Sequence, residues 1–237
     1  MKYNFEKLII ELEKLSVTLS EQQLEQFELY YDMLIEKNKV MNLTAITEFD
    51  EVLEKHFLDS VSLIRAVDLQ QPLKVMDLGT GAGFPGIPLK IVFPNLKITL
   101  ADSLNKRVLF LQEVIQALGL TDIEAVHGRA EDLAREKSQR QQYDLCVSRA
   151  VANLSTLSEY CLPFVKIGGK FVSYKSGDCN EEVTNSKSAV FLLGGKITDT
   201  VRFDLGEAKR TFVILDKVKG TPKEYPRKAG TPSKKPL

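Results

Sequence analysis

The 237 residues predict an α/β fold: a mostly parallel sheet covered by helices, with an antiparallel C-terminal hairpin strand and a helical N-terminal segment in front. Three observations carry this. From Leu73 onward, β-branched runs (KVMDLG, KITLAD, IEAVHG, YDLCVSRA, KFVSYKSG) alternate with helical stretches such as NKRVLFLQEVIQALG. That alternation builds βαβ units and a parallel sheet. Second, KITDTVRFDLGEAKRTFVILDKV reads as two strands joined by a tight Gly-Glu-Ala-Lys turn, which puts an antiparallel strand in the sheet. Third, the residues before Leu73 show helical spacing with no strand texture.

In chain order, Phe5, Leu8, Ile9, Leu12 and Leu15 predict an amphipathic helix over 4–16. Ser20 and Gln23 form a capping box for a second helix, whose inner face carries Leu24, Phe27, Tyr31, Leu34 and Ile35. MNLTAIT breaks the pattern, and residues 48–67 return to helical spacing. Residues 1–70 are therefore expected to be a helical extension packed on the core, 71–220 the α/β domain, and 221–237 a basic tail. The tail is rich in Pro, Gly and Lys and reads as extended or disordered in isolation.

Composition narrows the function classes. With 43% hydrophobic and 27% charged residues the chain is an ordinary globular protein. Its net charge is zero but unevenly spread: residues 1–70 carry −7, 71–216 carry +1 and 217–237 carry +6. This balance argues against a general polyanion binder, while the tail is able to touch one locally. Cys146, Cys161 and Cys179 show no CxxC spacing, so neither a zinc site nor a disulfide framework is expected, which fits a reducing cytoplasm. The acidic N-terminus lacks an apolar core region, and no apolar run is long enough to span a bilayer, so no signal peptide and no membrane contact is expected.

The chemistry centres on VMDLGTGAGFPGIPLK, Val75 to Lys90. Gly81-x-Gly83-x-x-Gly86 matches a dinucleotide fingerprint, while Asp77-x-Gly79-x-Gly81-x-Gly83 matches the loop that holds S-adenosylmethionine in many methyltransferases. Asp77, at the end of the strand, would repel a pyrophosphate but suits a sulfonium or ammonium group. Pro85 and Pro88 remove two N–H donors that an anion would seek at the helix start. Gly86 falls between those prolines, not where a helix must lie flat on its strand. These features favour the sulfonium cofactor.

Asp102 ends KITLAD, the strand that follows the glycine loop, where an acid accepts ribose hydroxyls. It also reads as an N-cap for NKRVLFLQ, and both roles are compatible. In HGRAEDL, the Ala130 backbone and Glu131 are placed to meet an adenine edge, although Glu131 also reads as a first-turn helix acid.

DLGTGAGFPGIPLKI, ADSLNKR, GRAED, SRAVA and the closing YPRKAGTPSKKPL, together with MNLTAIT and HFLDS, make the chain resemble the bacterial 16S ribosomal RNA guanine-N7 methyltransferases, the glucose-inhibited division protein B family. The resemblance covers nearly the whole chain. It implies a class I, Rossmann-like methyltransferase fold in which S-adenosyl-L-methionine methylates one guanine, conventionally numbered 527, within the 30S subunit. Carried over by motif, the cofactor contacts are Gly79, Phe84, Asp102, Ala130, Glu131 and Arg149, to which the loop reading adds Asp77, Gly81 and Gly83. The protein is expected to act as a monomer.

Absences bear on the reaction. The fourth strand ends in Ser148-Arg149-Ala150, not in the Asn/Asp-Pro-Pro-aromatic element that orients an exocyclic amine. No Pro-Cys precedes a nucleophile; Cys146 and Cys161 read as core residues, which speaks against a covalent adduct. Guanine N7 fits what remains, because its lone pair carries no proton and needs no general base. Arg149 is then expected to position something: the methionine carboxylate, guanine O6 or a phosphate, with a structural ion pair as the alternative. His56 and His127 both read as structural. Asn42, Thr44, His56 and Asp59 resemble the family's helical-segment motifs and are candidates to line the guanine pocket.

The candidate RNA contacts are Lys106, Arg107, Lys175, Arg227, Lys228, Lys234 and Lys235. If all six net tail charges engage RNA, log affinity falls with log salt at a slope of about −4. Truncation before Tyr225 is expected to spare cofactor binding and impair methylation. Two readings from other classes stay open on sequence alone, an NAD(P)-dependent oxidoreductase and a non-catalytic ribosome-binding protein, as does a methyltransferase acting on protein or a small molecule.

Overall fold

A computed structural model describes residues 1–149 and 152–237; Ala150 and Val151, within the SRAVA motif, lie outside the described residues. Among the residues described, strands β1 (Lys74–Leu78), β2 (Lys97–Asp102), β3 (Ile123–His127), β4 (Tyr143–Arg149), β5 (Val165–Ser176), β6 (Gly195–Leu205) and β7 (Ala208–Lys217) form one sheet, ordered β3-β2-β1-β4-β5-β7-β6. β1 to β5 pair in parallel, with Val75 beside Ile98 on one flank and Leu145 on the other. β7 enters antiparallel between β5 and β6, as the hairpin reading expects. The hairpin turn is tighter than the four residues expected, since only Gly206 and Glu207 separate the strands. The central strands are buried on both faces, which is why they read as continuous apolar runs rather than alternating ones.

The N-terminal residues form α1 (Glu6–Glu13) and α2 (Glu21–Met41), followed by α3 (Phe49–Val52), a π-helical turn (Leu53–Leu58), α4 (Asp59–Val61) and a 3₁₀ turn (Ser62–Arg65). The first helix is shorter than the expected 4–16, because Ser16 turns to φ 59° and sends Val17 back onto the core. The capping box at Ser20 and Gln23 is present. The expected 48–67 helix changes pitch three times; a π turn at its centre widens the helix where His56 sits. Leu24, Phe27, Tyr31 and Leu34 are buried as expected, and Tyr30 joins them. These side chains share one core cluster with Phe84, Ile87 and Leu100 of the sheet region.

Crossovers follow β1 through α5 (Gly86–Val92), β2 through α6 (Asn105–Ala117), β3 through α7 (Ala130–Leu133), β4 through α8 (Leu154–Cys161) and β5 through α9 (Asn180–Leu192). Strand order reverses between β1 and β4, so the crevice at their carboxyl ends is where a ligand is expected.

The tail is folded, contrary to its composition. Its last helix is α10 (Thr231–Lys234), and contacts with the rest of the fold hold the tail before and within that turn. Arg227 grips Glu159 with Nε and Nη2 (2.9 and 2.7 Å), the Arg140 guanidinium donates to the carbonyls of Thr221, Pro222 and Tyr225, and Thr156 donates to the Pro232 carbonyl. Pro and Gly prevent long regular structure but do not prevent docking.

Candidate active site

The glycine loop leaves β1 with positive φ at Gly79 (72°), Gly81 (63°) and Gly83 (107°), a backbone path that side chains with a Cβ resist. Asp77 lies beneath the loop, fully buried. Its Oδ2 accepts from Thr80 Oγ1 (2.6 Å) and from the Gly86 N–H (2.8 Å), while Oδ1 has no partner among the described residues. Burial pushes its carboxyl up to about 6 against these bonds. The first free N–H of α5 is therefore spent on Asp77, which leaves that helix start poorly suited to a phosphate.

Gly86 does lie where helix and strand meet closely: an added Cβ would fall 2.2 Å from Leu100 and 2.8 Å from Asp77 Oδ2. Its glycine is a packing requirement, so its place between prolines does not discriminate ligands.

At the carboxyl ends of β1, β2 and β3 a cavity of about 200 Å³ is lined by Gly79, Asp102, Ser103, Ala130, Glu131 and Tyr160, with Gly230 and Ser233 from the tail. It falls below the roughly 300–1,000 Å³ of drug-sized ligand pockets and suits a nucleoside better than a dinucleotide. Asp102 Oδ2 accepts from Gly81 N–H (3.0 Å) and Oδ1 from Leu104 N–H (2.9 Å), so it supports the loop and the start of α6 together. Oδ1 keeps a lone pair for a ribose hydroxyl, while Oδ2 is also approached by Arg107 Nη1 at 3.4 Å. Glu131 is buried in the first turn of α7 and its Oε1 accepts from the Gly230 N–H (2.8 Å). These residues fit the nucleoside end of S-adenosylmethionine. The same contact brings the tail against this cavity, which Gly230 and Ser233 line together with Gly79 and Asp102.

Phe84 and Arg149 face elsewhere. Phe84 is buried under α2 against Tyr30 and Phe57, and the His56 ring stacks on it at 4.5 Å. The Arg149 guanidinium lies 5.1 Å over the Phe84 ring. A second cavity, about 470 Å³, opens here at the ends of β4 and β5, lined by His56, Asp59, Arg149, Tyr174, Lys175 and Arg210 among others. Asp59 is clamped by two guanidiniums, Arg149 on Oδ2 (2.9 Å) and Arg210 on Oδ1 (2.8 Å). Arg149 Nη2 can only donate, so His56 Nδ1 receives it at its lone pair (3.2 Å), the Lys55 carbonyl beside Nδ1 (3.1 Å) accepts from Arg149 Nη1 (3.2 Å) instead, and Nε2–H donates to Thr44 Oγ1 (2.9 Å). Burial, then the Arg149 charge, lowers the His56 pKa to about 3.

The structure thus gathers Gly79, Asp102, Ala130 and Glu131 round one cavity and His56, Asp59 and Arg149 round the other, with the glycine loop between. Gly81 reaches the first through its bond to Asp102, and Gly83 is packed under Tyr30, whose hydroxyl would meet an added Cβ at 2.7 Å. Asn42 caps α2 in the left-handed region, and Thr44 Oγ1 meets His56 and accepts from the Ile46 N–H. His127 is exposed, its ring against the Ser103 carbonyl, and Cys146 and Cys161 are buried.

Among the candidate RNA contacts, Lys106, Lys228, Lys234 and Lys235 are exposed. Two others are committed internally: Lys175 bonds Glu182 (2.6 Å) and the Ala152 carbonyl (3.0 Å), and Arg227 pairs with the buried Glu159. Arg107 leans on Asp102 at 3.4 Å. Sequence reasoning misses Tyr30, Tyr160, Arg210, Gly230 and Ser233. The signal for Gly230 and Ser233 is present, since both lie in the AGTPSKKP motif, which the sequence reading assigns to RNA alone. Nothing local marks Arg210, which reaches Asp59 across 151 positions.

Among the described residues, no helix is long and apolar enough to cross a membrane, and no group of three or more His, Cys, Asp or Glu is placed to hold a metal. Residues 23–212 match the family model described as GidB, rRNA small subunit methyltransferase G. The chain is 54% identical over 228 residues to the ribosomal RNA small subunit methyltransferase G of Lachnoclostridium phytofermentans, covering 95% of this chain and 94% of that one. It is 48% identical over 236 residues to the protein of the same name from Bacillus thuringiensis, covering 99% of each. A solved SAM dependent methyltransferase from Aquifex aeolicus superposes over 70% of this chain and 92% of its own, with a TM-score of 0.52 at 19% identity, a likeness of fold. With the glycine loop, the cavity beside it and these relatives together, the chain belongs to the rRNA small subunit methyltransferase G (GidB) family of S-adenosylmethionine-dependent methyltransferases.

Proposed function

We propose that the protein methylates N7 of one guanine, the conventional position 527, in 16S rRNA of the small ribosomal subunit, and that N7 attacks the methyl group without a general base. The observation that carries this is the chemistry of the 470 Å³ cavity. Its imidazole, His56, has a pKa of about 3, too low to take up a proton near neutrality. Its carboxylate, Asp59, is held by two guanidiniums, and Lys175 and Lys55 are paired with Glu182 and Glu51. Such a site serves an acceptor that has no proton to lose, and guanine N7 is one.

S-adenosylmethionine supplies an electrophilic methyl group on a sulfonium. The chain's part is then placement, which can account for much of a methyl-transfer acceleration. Asp102 and Glu131 hold the nucleoside end, and the loop runs from Gly79, which lines the first cavity, to Phe84, which packs on His56 and Arg149 of the second. Arg149 and Arg210 present donors that suit guanine O6, whose acceptor sits beside N7. Positive charge grows on the base as N7 is alkylated, and the neutral state of His56 avoids adding a third cation beside the two arginines. The exposed Lys106, Lys228, Lys234 and Lys235 provide phosphate contacts that position RNA without reading its sequence.

The test uses unmethylated 30S subunits, labelled S-adenosylmethionine and the purified protein, followed by chemical cleavage at 7-methylguanine. One cut at the conventional position 527 is the expected result. No incorporation, or label at an exocyclic amine, overturns the reading.

A further inference from the structure

We propose that the C-terminal segment from Tyr225 to Leu237 is a wall of the methyl-donor pocket, with the Gly230 N–H and Ser233 acting on its adenosine side. This rests on reading the smaller of the two cavities as the nucleoside site, and does not depend on which base is methylated.

Three observations support it. Gly230 and Ser233 line the cavity together with Asp102, so a ligand there touches the tail as well as the sheet. The Gly230 N–H donates to Glu131 Oε1, which fixes the rotamer of a buried carboxylate and leaves Oε2 as the acceptor for an amine. Gly230 makes this bond at φ 78°, a conformation glycine adopts without strain; an added Cβ would meet nothing within 4 Å, so backbone direction and not space selects glycine.

The segment is also fastened on both sides of Gly230. Arg227 forms a two-pronged pair with Glu159, whose side chain is 1% exposed, and the Pro232 carbonyl accepts from Thr156. Releasing the segment would leave Glu159 buried and unpaired, an expensive state. The pocket is therefore closed by an element whose Lys228, Lys234 and Lys235 are exposed to solvent. An element built in this way belongs to the donor site even before RNA arrives.

The test is calorimetric titration of S-adenosylhomocysteine into the full chain and into Gly230→Pro, which removes the N–H and cannot take a positive φ. Amide hydrogen exchange across 225–237, with and without S-adenosylhomocysteine, is the second measurement. At least a tenfold rise in Kd for Gly230→Pro is expected, together with slower exchange in the wild-type segment on binding. Unchanged affinity overturns the proposal, and tighter binding does too, since it would make the segment a plug rather than a wall. If Gly230→Pro does not fold, the wild-type exchange decides: no protection of 225–237 at saturating S-adenosylhomocysteine overturns it. Failure of the guanine assignment would appear as missing methyl incorporation with tail-dependent affinity intact, so the two ideas fail separately.

Discussion

His56 illustrates how one residue's surroundings decide its chemistry. Its pKa of about 3, against roughly 6.5 in an unfolded chain, means that the unfolded state binds the proton first. Stability from neutral His56 is therefore fully present above about pH 6.5 and is lost as pH falls toward 3, by at most a few kcal/mol. Asp77 works in the opposite direction: its folded pKa near 6 exceeds the usual carboxylate value, so it adds stability as pH falls from about 6 toward 4. His56→Gln isolates the first effect. Its urea midpoint is expected to fall less than the parent's between pH 7 and pH 4; parallel curves would refute a buried neutral imidazole. Asp102→Ala addresses the other cavity. It is expected to weaken S-adenosylhomocysteine at least tenfold, about 1.4 kcal/mol, with the fold retained. Unchanged affinity in a titration would remove Asp102 from the site. The two residues differ in legibility: Asp102 is readable from its place at the end of the strand after the glycines, while His56 reads as structural from its helix face and joins the pocket candidates only through the resemblance, because its partner Arg149 lies 93 positions away.

At the scale of elements, the decisive contact runs from α2 to the glycine loop. Tyr30 is fully buried, its hydroxyl donates to the Ala82 carbonyl (2.7 Å), and its ring packs on Phe57 and Phe84. The N-terminal helices thus brace the loop that touches both cavities. Tyr30→Phe keeps the ring and leaves a buried carbonyl without its donor, which costs about 1–3 kcal/mol. A melting curve is expected to show that loss, accompanied by weaker binding of S-adenosylhomocysteine as the loop loosens. A stability loss with unchanged affinity would limit Tyr30 to packing. The sheet and its crossovers are legible because periodicity reports burial directly, and the glycines are legible because positive φ restricts residue choice. The π turn at Leu53–Leu58 is not: helical spacing persists through it, and the widened pitch depends on what packs against it. Gly86 is misread for the same reason, since its neighbour Leu100 belongs to another strand.

Across the whole molecule, the zero net charge conceals a division of labour. The acidic N-terminal segment, residues 1–70, packs on the core and braces the loop, while residues 217–237 carry a net +6. Composition suggests that all of this charge is free for RNA. The fold removes part of it: Arg227 is paired with Glu159, and the buried Lys217 donates to the Leu162 and Leu193 carbonyls, its pKa lowered to about 7 by burial. Lys228, Lys234 and Lys235 remain exposed on the tail. The salt dependence expected from a free tail, a slope of about −4, should therefore be shallower where the tail alone is concerned. Replacing these three lysines by alanine is expected to reduce the slope of log affinity against log salt by about 2 for the ribosomal RNA substrate, if each meets one phosphate of single-stranded RNA. Affinity at low salt should fall with it, while S-adenosylhomocysteine binding stays within twofold, because none of the three side chains lines the nucleoside cavity. An unchanged slope would show that the tail's charge faces solvent in the complex, and would leave the proposed pocket wall as the tail's remaining role.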